Sequence, residues 1–286
     1  MNKIMKQLPL ILSSILILSF VQTACRKSAT DAGNPSASAT PPSAEAQLAA
    51  EQQQVEVMRQ QFEEEARQNP DDPNTHYNLG NVYFSQKKYQ EAVEEYKKAV
   101  ARNDKDFETF YRMGNAYSNM QQLKEAATAY RQATVIKSDF AEAHYALGNV
   151  HLGLGQFKEA AAAYRKAIAA KSDYADAYFN LGNAYDRLGM HKEEAETYQK
   201  VVKFNPNDAD AYFNLGNAYS KLNRSQEAVA AYQQAIRLKP DDADARYSLG
   251  VLYVKNGDRE EAIEQYEALK QLKPESAANL NRLINQ

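Results

Sequence analysis

Residues 175–185 read ADAYFNLGNAY, and residues 209–219 read the same eleven letters thirty-four positions later. A chain that repeats at a fixed period is built of like units that meet their neighbours through like surfaces. The period extends in both directions. Leu79–Gly80, Met113–Gly114, Leu147–Gly148, Leu181–Gly182, Leu215–Gly216 and Leu249–Gly250 stand thirty-four apart. Sixteen residues after each glycine comes a tyrosine: Tyr96, Tyr130, Tyr164, Tyr198, Tyr232 and Tyr266. Three residues after each glycine comes another ring: Tyr83, Tyr117, His151, Tyr185, Tyr219 and Tyr253. Six units thus fill residues 73–276 without insertion or deletion, bounded at 73–106, 107–140, 141–174, 175–208, 209–242 and 243–276.

Each unit reads as two helices. In the first, rings and aliphatics recur at helical spacing, as in Tyr178, Leu181 and Tyr185. The second starts near a Glu-Ala pair such as Glu227–Ala228 and carries Tyr232, Ala235 and Ile236 on one face. Gly155, Gly189, Asn223 and Gly257 mark the turn between them. Units close with Asp, Ser or Pro, as in Pro240–Asp241–Asp242, where proline cannot continue a helix and aspartate caps the next one. Small residues such as Gly182 and Ala228 let paired helices approach, and the 19 tyrosines, all within this region, fill the gaps between neighbours. One such pair cannot bury its apolar face alone, so the units must stack.

This pattern of Leu-Gly, Tyr, Ala, Tyr, Ala and Pro at set offsets resembles the tetratricopeptide repeat. The resemblance covers 73–276 and implies an all-α, right-handed α-solenoid of helix-turn-helix units. Several positions depart from the family pattern. Glu194 stands where the small alanine belongs, Val201 and Leu269 replace later alanines, and Asp104, Ser138 and Ser172 replace the closing proline. Expectation for Glu194 is simple: replacing it with alanine raises stability or leaves it unchanged. Residues 46–72 read as a lone second-type helix capping unit one, with Val55, Met58, Phe62 and Ala66 on one face. Residues 277–286, with Leu280, Leu283 and Ile284, read as a cap over unit six.

The first residues have another character. Lys3 and Lys6 precede an apolar run from Leu8 to Val21, then Gln22-Thr23-Ala24-Cys25. A basic start, a short apolar stretch and small residues before a cut describe an export signal over 1–24. Cys25 is the only cysteine. It reads either as an incidental residue beside an ordinary cleavage site or as the acylated first residue of a bacterial lipoprotein, and an uncleaved anchor is a third reading. Thr23-Ala24-Cys25 resembles the end of a lipobox, although Gln22 stands where an aliphatic residue is usual. The lipoprotein reading places the chain in the bacterial envelope, held to a membrane through Cys25; the alternative is a soluble secreted or periplasmic protein. Residues 25–45, rich in Ala, Ser, Thr and Pro, read as a flexible tether.

Charge excludes one class of partner. Without Lys3 and Lys6 the 34 basic residues fall to 32 against 37 acidic ones, and no basic stripe suits nucleic acid. No phosphate-binding glycine loop and no paired Cys or His at ligand spacing points to catalysis, a cofactor or a metal. His144 and His151 lie seven apart, but sister units carry Tyr or Phe at both places, so they read as core rings.

What repeats on the first helix is a line of rings and amides. Tyr77, Tyr111, Tyr145, Phe179, Phe213 and Tyr247 share one position; Asn81, Asn115, Asn149, Asn183 and Asn217 share the position one turn on, where Val251 breaks the line. The family resemblance places these residues on the concave face, where a carboxamide can pair with an extended peptide and a ring gives rigid apolar contact. The same residues are also the commonest at those family positions. Exposed amides of this kind would be dispensable for folding. Family members that clamp a terminal carboxylate use lysine and arginine at places that here hold Tyr77, Glu142 and Ala146. Glu108, Glu142, Asp176, Asp210 and Asp244 along one edge point instead to a neutral or basic peptide. The whole reads as a non-enzymatic scaffold that holds partner proteins. It is similar in architecture to the repeat lipoproteins that assist type IV pilus secretion channels. A recruiting subunit of an enzyme such as a glycosyltransferase is the alternative.

Overall fold

A computed structural model describes residues 43–286, and the signal, Cys25 and most of the tether lie outside the described residues. The chain divides into two units: residues up to Gln54, described only over the first half of one helix, and Val55–Gln286. That helix, α1, spans Ala44–Gln68.

From Pro73 the second unit is a succession of helix pairs: α2 Pro73–Ser85 and α3 Tyr89–Arg102, α4 Phe107–Asn119 and α5 Leu123–Ile136, α6 Ala141–Gly153 and α7 Phe157–Ala170. The pairs continue as α8 Ala175–Arg187 and α9 His191–Phe204, α10 Ala209–Lys221 and α11 Ser225–Leu238, α12 Ala243–Asn256 and α13 Arg259–Leu272, closed by α14 Pro274–Ile284. From α2 to α14 consecutive helices pack on one another. First helices of neighbouring repeats also pack directly, α2 on α4, α6 on α8 and α10 on α12, and no two second helices pack comparably. The stack is therefore tighter along its first helices.

The pairing rests on a glycine and a tyrosine. A Cβ added to Gly182 would lie 2.7 Å from the ring of Tyr198 in the facing helix, inside van der Waals contact. Gly80, Gly114, Gly148 and Gly216 meet Tyr96, Tyr130, Tyr164 and Tyr232 in the same way. These five rings are buried, and the alanines at the Ala92, Ala126, Ala160, Ala228 and Ala262 position are wholly enclosed. The last repeat differs. The side chain of Leu280 on α14, not Tyr266, lies against Gly250, and Tyr266 is only half-buried. The helix that follows supplies the apolar cover at this glycine.

Turns between paired helices hold one residue in the left-handed region. Gly155, Gly189 and Gly257 take it at φ 71°, 71° and 88°, and Asn223 takes it at 58°. Lys87 and Gln121 hold φ 60° at the aligned positions of the first two repeats, a conformation their sequence does not advertise.

Aspartate caps four of the six first helices. Asp72, Asp106, Asp208 and Asp242 accept backbone N–H bonds at 3.0 Å from Asn74, 3.1 Å from Glu108, 2.9 Å from Ala211 and 3.0 Å from Ala245. The other two differ: α6 and α8 are preceded by Phe140 and Tyr174, which make no side-chain cap bond.

The ends are unequal. At the C-terminus Ala277, Leu280 and Ile284 are buried in the core, and α14 starts at Pro274, within the last thirty-four-residue frame. At the N-terminus Val55, Phe62 and Ala66 are half-buried and Met58 is exposed. The hydroxyl of Tyr83 donates to Glu63 Oε1 at 2.8 Å, tying α1 to the first repeat. A cavity of about 530 Å³ remains there, lined by Glu63, Ala66, His76, Tyr83 and Glu95 among others. On its wall His76 Nδ1 sits 2.6 Å from Glu95 Oε2, and Nε2 sits 2.9 Å from the carbonyl of Pro70.

Candidate functional site

The ring and amide positions fall together on the first helices. Tyr77, Tyr111, Tyr145, Phe179, Phe213 and Tyr247 are all half-buried, so each presents part of a ring to solvent. Five of them lean on the late tyrosine of their own repeat, with centroid distances of 6.3, 5.7, 5.9, 5.7 and 6.0 Å from the first repeat to the fifth.

The asparagines have a role that the sequence reading did not assign. Each accepts, through Oδ1, a hydrogen bond from the hydroxyl of the buried tyrosine fifteen residues later. Tyr96 donates to Asn81 at 2.8 Å, Tyr130 to Asn115 at 2.7 Å, Tyr164 to Asn149 at 2.8 Å, Tyr198 to Asn183 at 2.7 Å and Tyr232 to Asn217 at 2.7 Å. Burial pushes these phenols up, Tyr232 to about 12 and the others further, so they stay protonated donors. The idea of freely exposed amides, dispensable for folding, is thus corrected: the carbonyl end closes a buried polar group, and the NH₂ end is what a partner could use. Where Val251 removes the acceptor, Tyr266 is also the tyrosine that is not buried. The break in the line and the displaced ring are one event.

A second set of rings widens this face in the middle of the stack. Phe140, in the cap place of α6, lies 5.0 Å from Tyr111 and 5.1 Å from Phe107, edge to face. Tyr174, in the cap place of α8, lies 4.9 Å from Tyr145. Lys137 sits over Phe107 at 4.6 Å and Phe140 at 5.4 Å, and Lys171 over Tyr174 at 5.0 Å. A side-chain cap is worth about 1 kcal/mol and a ring pair about as much, so the exchange is near neutral for folding. Its visible result is a run of aromatic surface. Asn180 joins neighbouring repeats here, donating to Tyr145 Oη at 3.1 Å and to Asn149 Oδ1 at 3.0 Å.

Beside the rings, Glu108, Glu142, Asp176, Asp210 and Asp244 are exposed, and Asp244 pairs with Lys273 at 2.7 Å. His144 and His151 are buried and separately engaged: His144 Nε2 lies 2.9 Å from the carbonyl of Ser138, and His151 Nδ1 lies 2.7 Å from Gln156 Oε1. A different group, Asp186, His191 and Glu194, has ligand-capable atoms within 4.8 Å of one another, and of the three only Glu194 stands out in the sequence. Glu194 is only 2% exposed. Burial pushes its carboxyl up, against the lowering effect of a hydrogen bond with His191 and the charge of Lys221.

Comparison with known proteins fits this geometry. Residues 18–248 match the family described as Cilia and flagella-associated protein 70 C-terminal domain, and residues 222–286 match the Tetratricopeptide repeat family. The chain belongs to this family of tetratricopeptide-repeat (TPR) proteins. No curated protein sequence matches it. Among solved structures, YrrB, described as a TPR protein with an unusual peptide-binding site, is 28% identical with a TM-score of 0.61. That likeness covers 66% of this chain and 99% of YrrB. The MamA protein is 27% identical with a TM-score of 0.56, over 60% of this chain and 94% of MamA. The C-terminal part of a TPR protein from Cytophaga hutchinsonii covers 80% of this chain and 95% of its own, with a TM-score of 0.68; at 17% identity it shows the fold alone. The TPR fold of this chain is an all-α solenoid of the kind that serves as a protein-interaction scaffold.

Proposed function

We propose that this TPR protein is a non-enzymatic scaffold of the bacterial envelope. In this reading it is tethered to a membrane by acylated Cys25 and holds an extended, neutral or basic peptide segment of a partner along its first helices. The observation that carries the peptide reading is the pair of half-buried aromatic clusters, Phe107–Tyr111–Phe140 and Tyr145–Tyr174, with exposed carboxylates on the same first helices. Half-exposed rings give contact area at small entropic cost, and the row of carboxylates rejects an acidic ligand. YrrB, similar over its whole length, is described as having a peptide-binding site, which supports this use of the fold. The export signal and lipobox-like Thr23-Ala24-Cys25 support the tether. Assembly of an envelope complex, of the pilus-channel kind, is the setting this architecture suits.

The test is photo-crosslinking in intact membranes from a residue placed at Tyr111, Tyr145 or Phe213, with Val135 on the outer helices as control. Crosslinks confined to the first three positions support the groove; crosslinks only from Val135 would overturn it. Separately, Cys25→Ser should move the protein from the membrane pellet to the soluble fraction, and wild type should incorporate labelled palmitate. Failure of labelling sinks the tether and leaves the groove standing.

A further inference from the structure

The repeats supply their own internal control, and the fourth departs from it at three places that converge. At the position of Glu194 the five sister repeats carry alanine, and at those of Asp186 and His191 they carry no carboxylate or imidazole. Three polar substitutions in one repeat bring their donor atoms within 4.8 Å of one another, at the junction of α8 and α9. His191 Nδ1 lies 2.9 Å from Glu194 Oε2. The carboxylate of Glu194 occupies an enclosed alanine site, where an uncompensated charge is costly. Compensation reaches it from the next repeat: Lys221, at the end of α10, contacts Asp186 and stands 3.8 Å from Glu194 Oε1. One half-exposed ammonium therefore serves two carboxylates, and it lies nearer the more exposed of them.

We propose that Asp186, His191 and Glu194 form a binding site for a divalent transition-metal ion of the zinc class, in which the ammonium of Lys221 holds the place of the cation. One imidazole and two carboxylates form a three-ligand set of the type zinc accepts, with a fourth position for water. Ligand bonds of about 2.0–2.2 Å set tetrahedral donor atoms roughly 3.4 Å apart, so the wider gaps must close and the His191–Glu194 pair must open slightly. Asp186 and His191 can move accordingly, because both side chains are partly exposed and end or begin their helices. A divalent ion balances both carboxylates at once and releases Lys221 to solvent. The imidazole ligand separates this site from calcium and magnesium, which take oxygen. Bound there, the ion would clip the turn at Gly189 and fix α8 against α9.

The experiment is a calorimetric titration of the chelator-treated full chain with Zn²⁺, with Ca²⁺ as control. Wild type should bind one zinc ion saturably and gain thermal stability, and Ca²⁺ should do neither. Glu194→Ala, His191→Phe and Asp186→Ser each install a residue that a sister repeat carries at that place, so the fold is retained; melting in chelator checks this. Each should weaken zinc binding at least about tenfold. Lys221→Ser removes the competing ammonium and should tighten it. Absence of saturable zinc binding overturns the proposal. So does binding that Glu194→Ala and His191→Phe leave unchanged, which would put the ion at another site such as His76 and Glu95. Neither result bears on the peptide groove.

Discussion

The two copies of ADAYFNLGNAY occupy α8 and α10, and inside them almost nothing differs. Gly182 and Gly216 leave the same gap for Tyr198 and Tyr232, and the two tyrosines donate to Asn183 and Asn217 at 2.7 Å. Differences begin one residue outside. Tyr174 precedes the first copy and Asp208 the second, so α10 has a side-chain cap and α8 has a ring tilted against Tyr145. Asp186 follows the first copy and Ser220 the second, and only the first leads into a charged cluster. Even identical residues take their contacts from the neighbour. Asn180 donates to Tyr145, whereas the place of Tyr145 before Asn214 is filled by Phe179, which has no hydroxyl to accept. Eleven identical residues thus encode a stacking element, and the flanks decide what each copy does.

The largest effect should come from filling the shared gap. Gly182→Leu and Gly216→Leu each force a side chain into a tyrosine ring in a close-packed contact, and each should cost about 3 kcal/mol or more in urea unfolding. The two costs should agree closely. A difference of more than about 1 kcal/mol would mean that the flanks, not the duplicated stretch, set the packing.

Next come the asparagines. Asn183→Ala and Asn217→Ala each remove the acceptor of a buried hydroxyl and should each cost about 1–3 kcal/mol. Tyr198→Phe in the Asn183→Ala background should recover part of that loss, because no buried donor then lacks a partner. If Asn183→Ala melts like wild type, water replaces the carboxamide and the line is free to serve a partner alone.

Those asparagines also mark how far the sequence could be read. The period, the helix pairs and the small residues follow from spacing, because apolar faces at fixed offsets leave one way to bury them. The partner of each asparagine was hidden by a separation of fifteen residues across a turn, which no helical periodicity brings together. A signal was present nonetheless: Val251 is the only break in the amide line, and it falls in the repeat whose tyrosine is displaced. Phe140 and Tyr174 could have been found too, by aligning the position before each first helix and seeing two rings among four aspartates. Glu194 was noticed as a misfit but read alone. Its meaning lies in Asp186 and His191, which look ordinary until the turn folds them onto it.

A swap of caps tests the flanks. Asp208→Ala should cost about 1 kcal/mol, the worth of a side-chain cap, whereas Tyr174→Asp, which gains a cap and loses a ring pair with Tyr145, should be near neutral. On the proposed function the second change should nevertheless reduce crosslinking from Tyr145 by removing the ring beside it. Unchanged stability together with undiminished crosslinking would make Tyr174 a bystander.

The smallest effect lies in the turns after the two copies. Gly189 and Asn223 both sit in the left-handed region, at φ 71° and 58°. Glycine reaches it without strain but gives up more freedom on folding; asparagine tolerates it because its short amide can bond locally. Asn223 adds one contact, accepting from Lys255 Nζ at 3.1 Å across the next turn. That bond is exposed and contributes little. Asn223→Gly should therefore change stability by less than about 0.5 kcal/mol, since relief of strain offsets the lost bond and added entropy. Gly189→Asn should be equally mild, whereas Gly189→Val, with a branched side chain, should cost about 1–2 kcal/mol. Urea unfolding of the three variants side by side decides it. If Gly189→Asn proves as harmful as Gly189→Val, the turn of the fourth repeat is constrained by more than its backbone angle, and the neighbouring cluster of Asp186, His191 and Glu194 is where that constraint would originate.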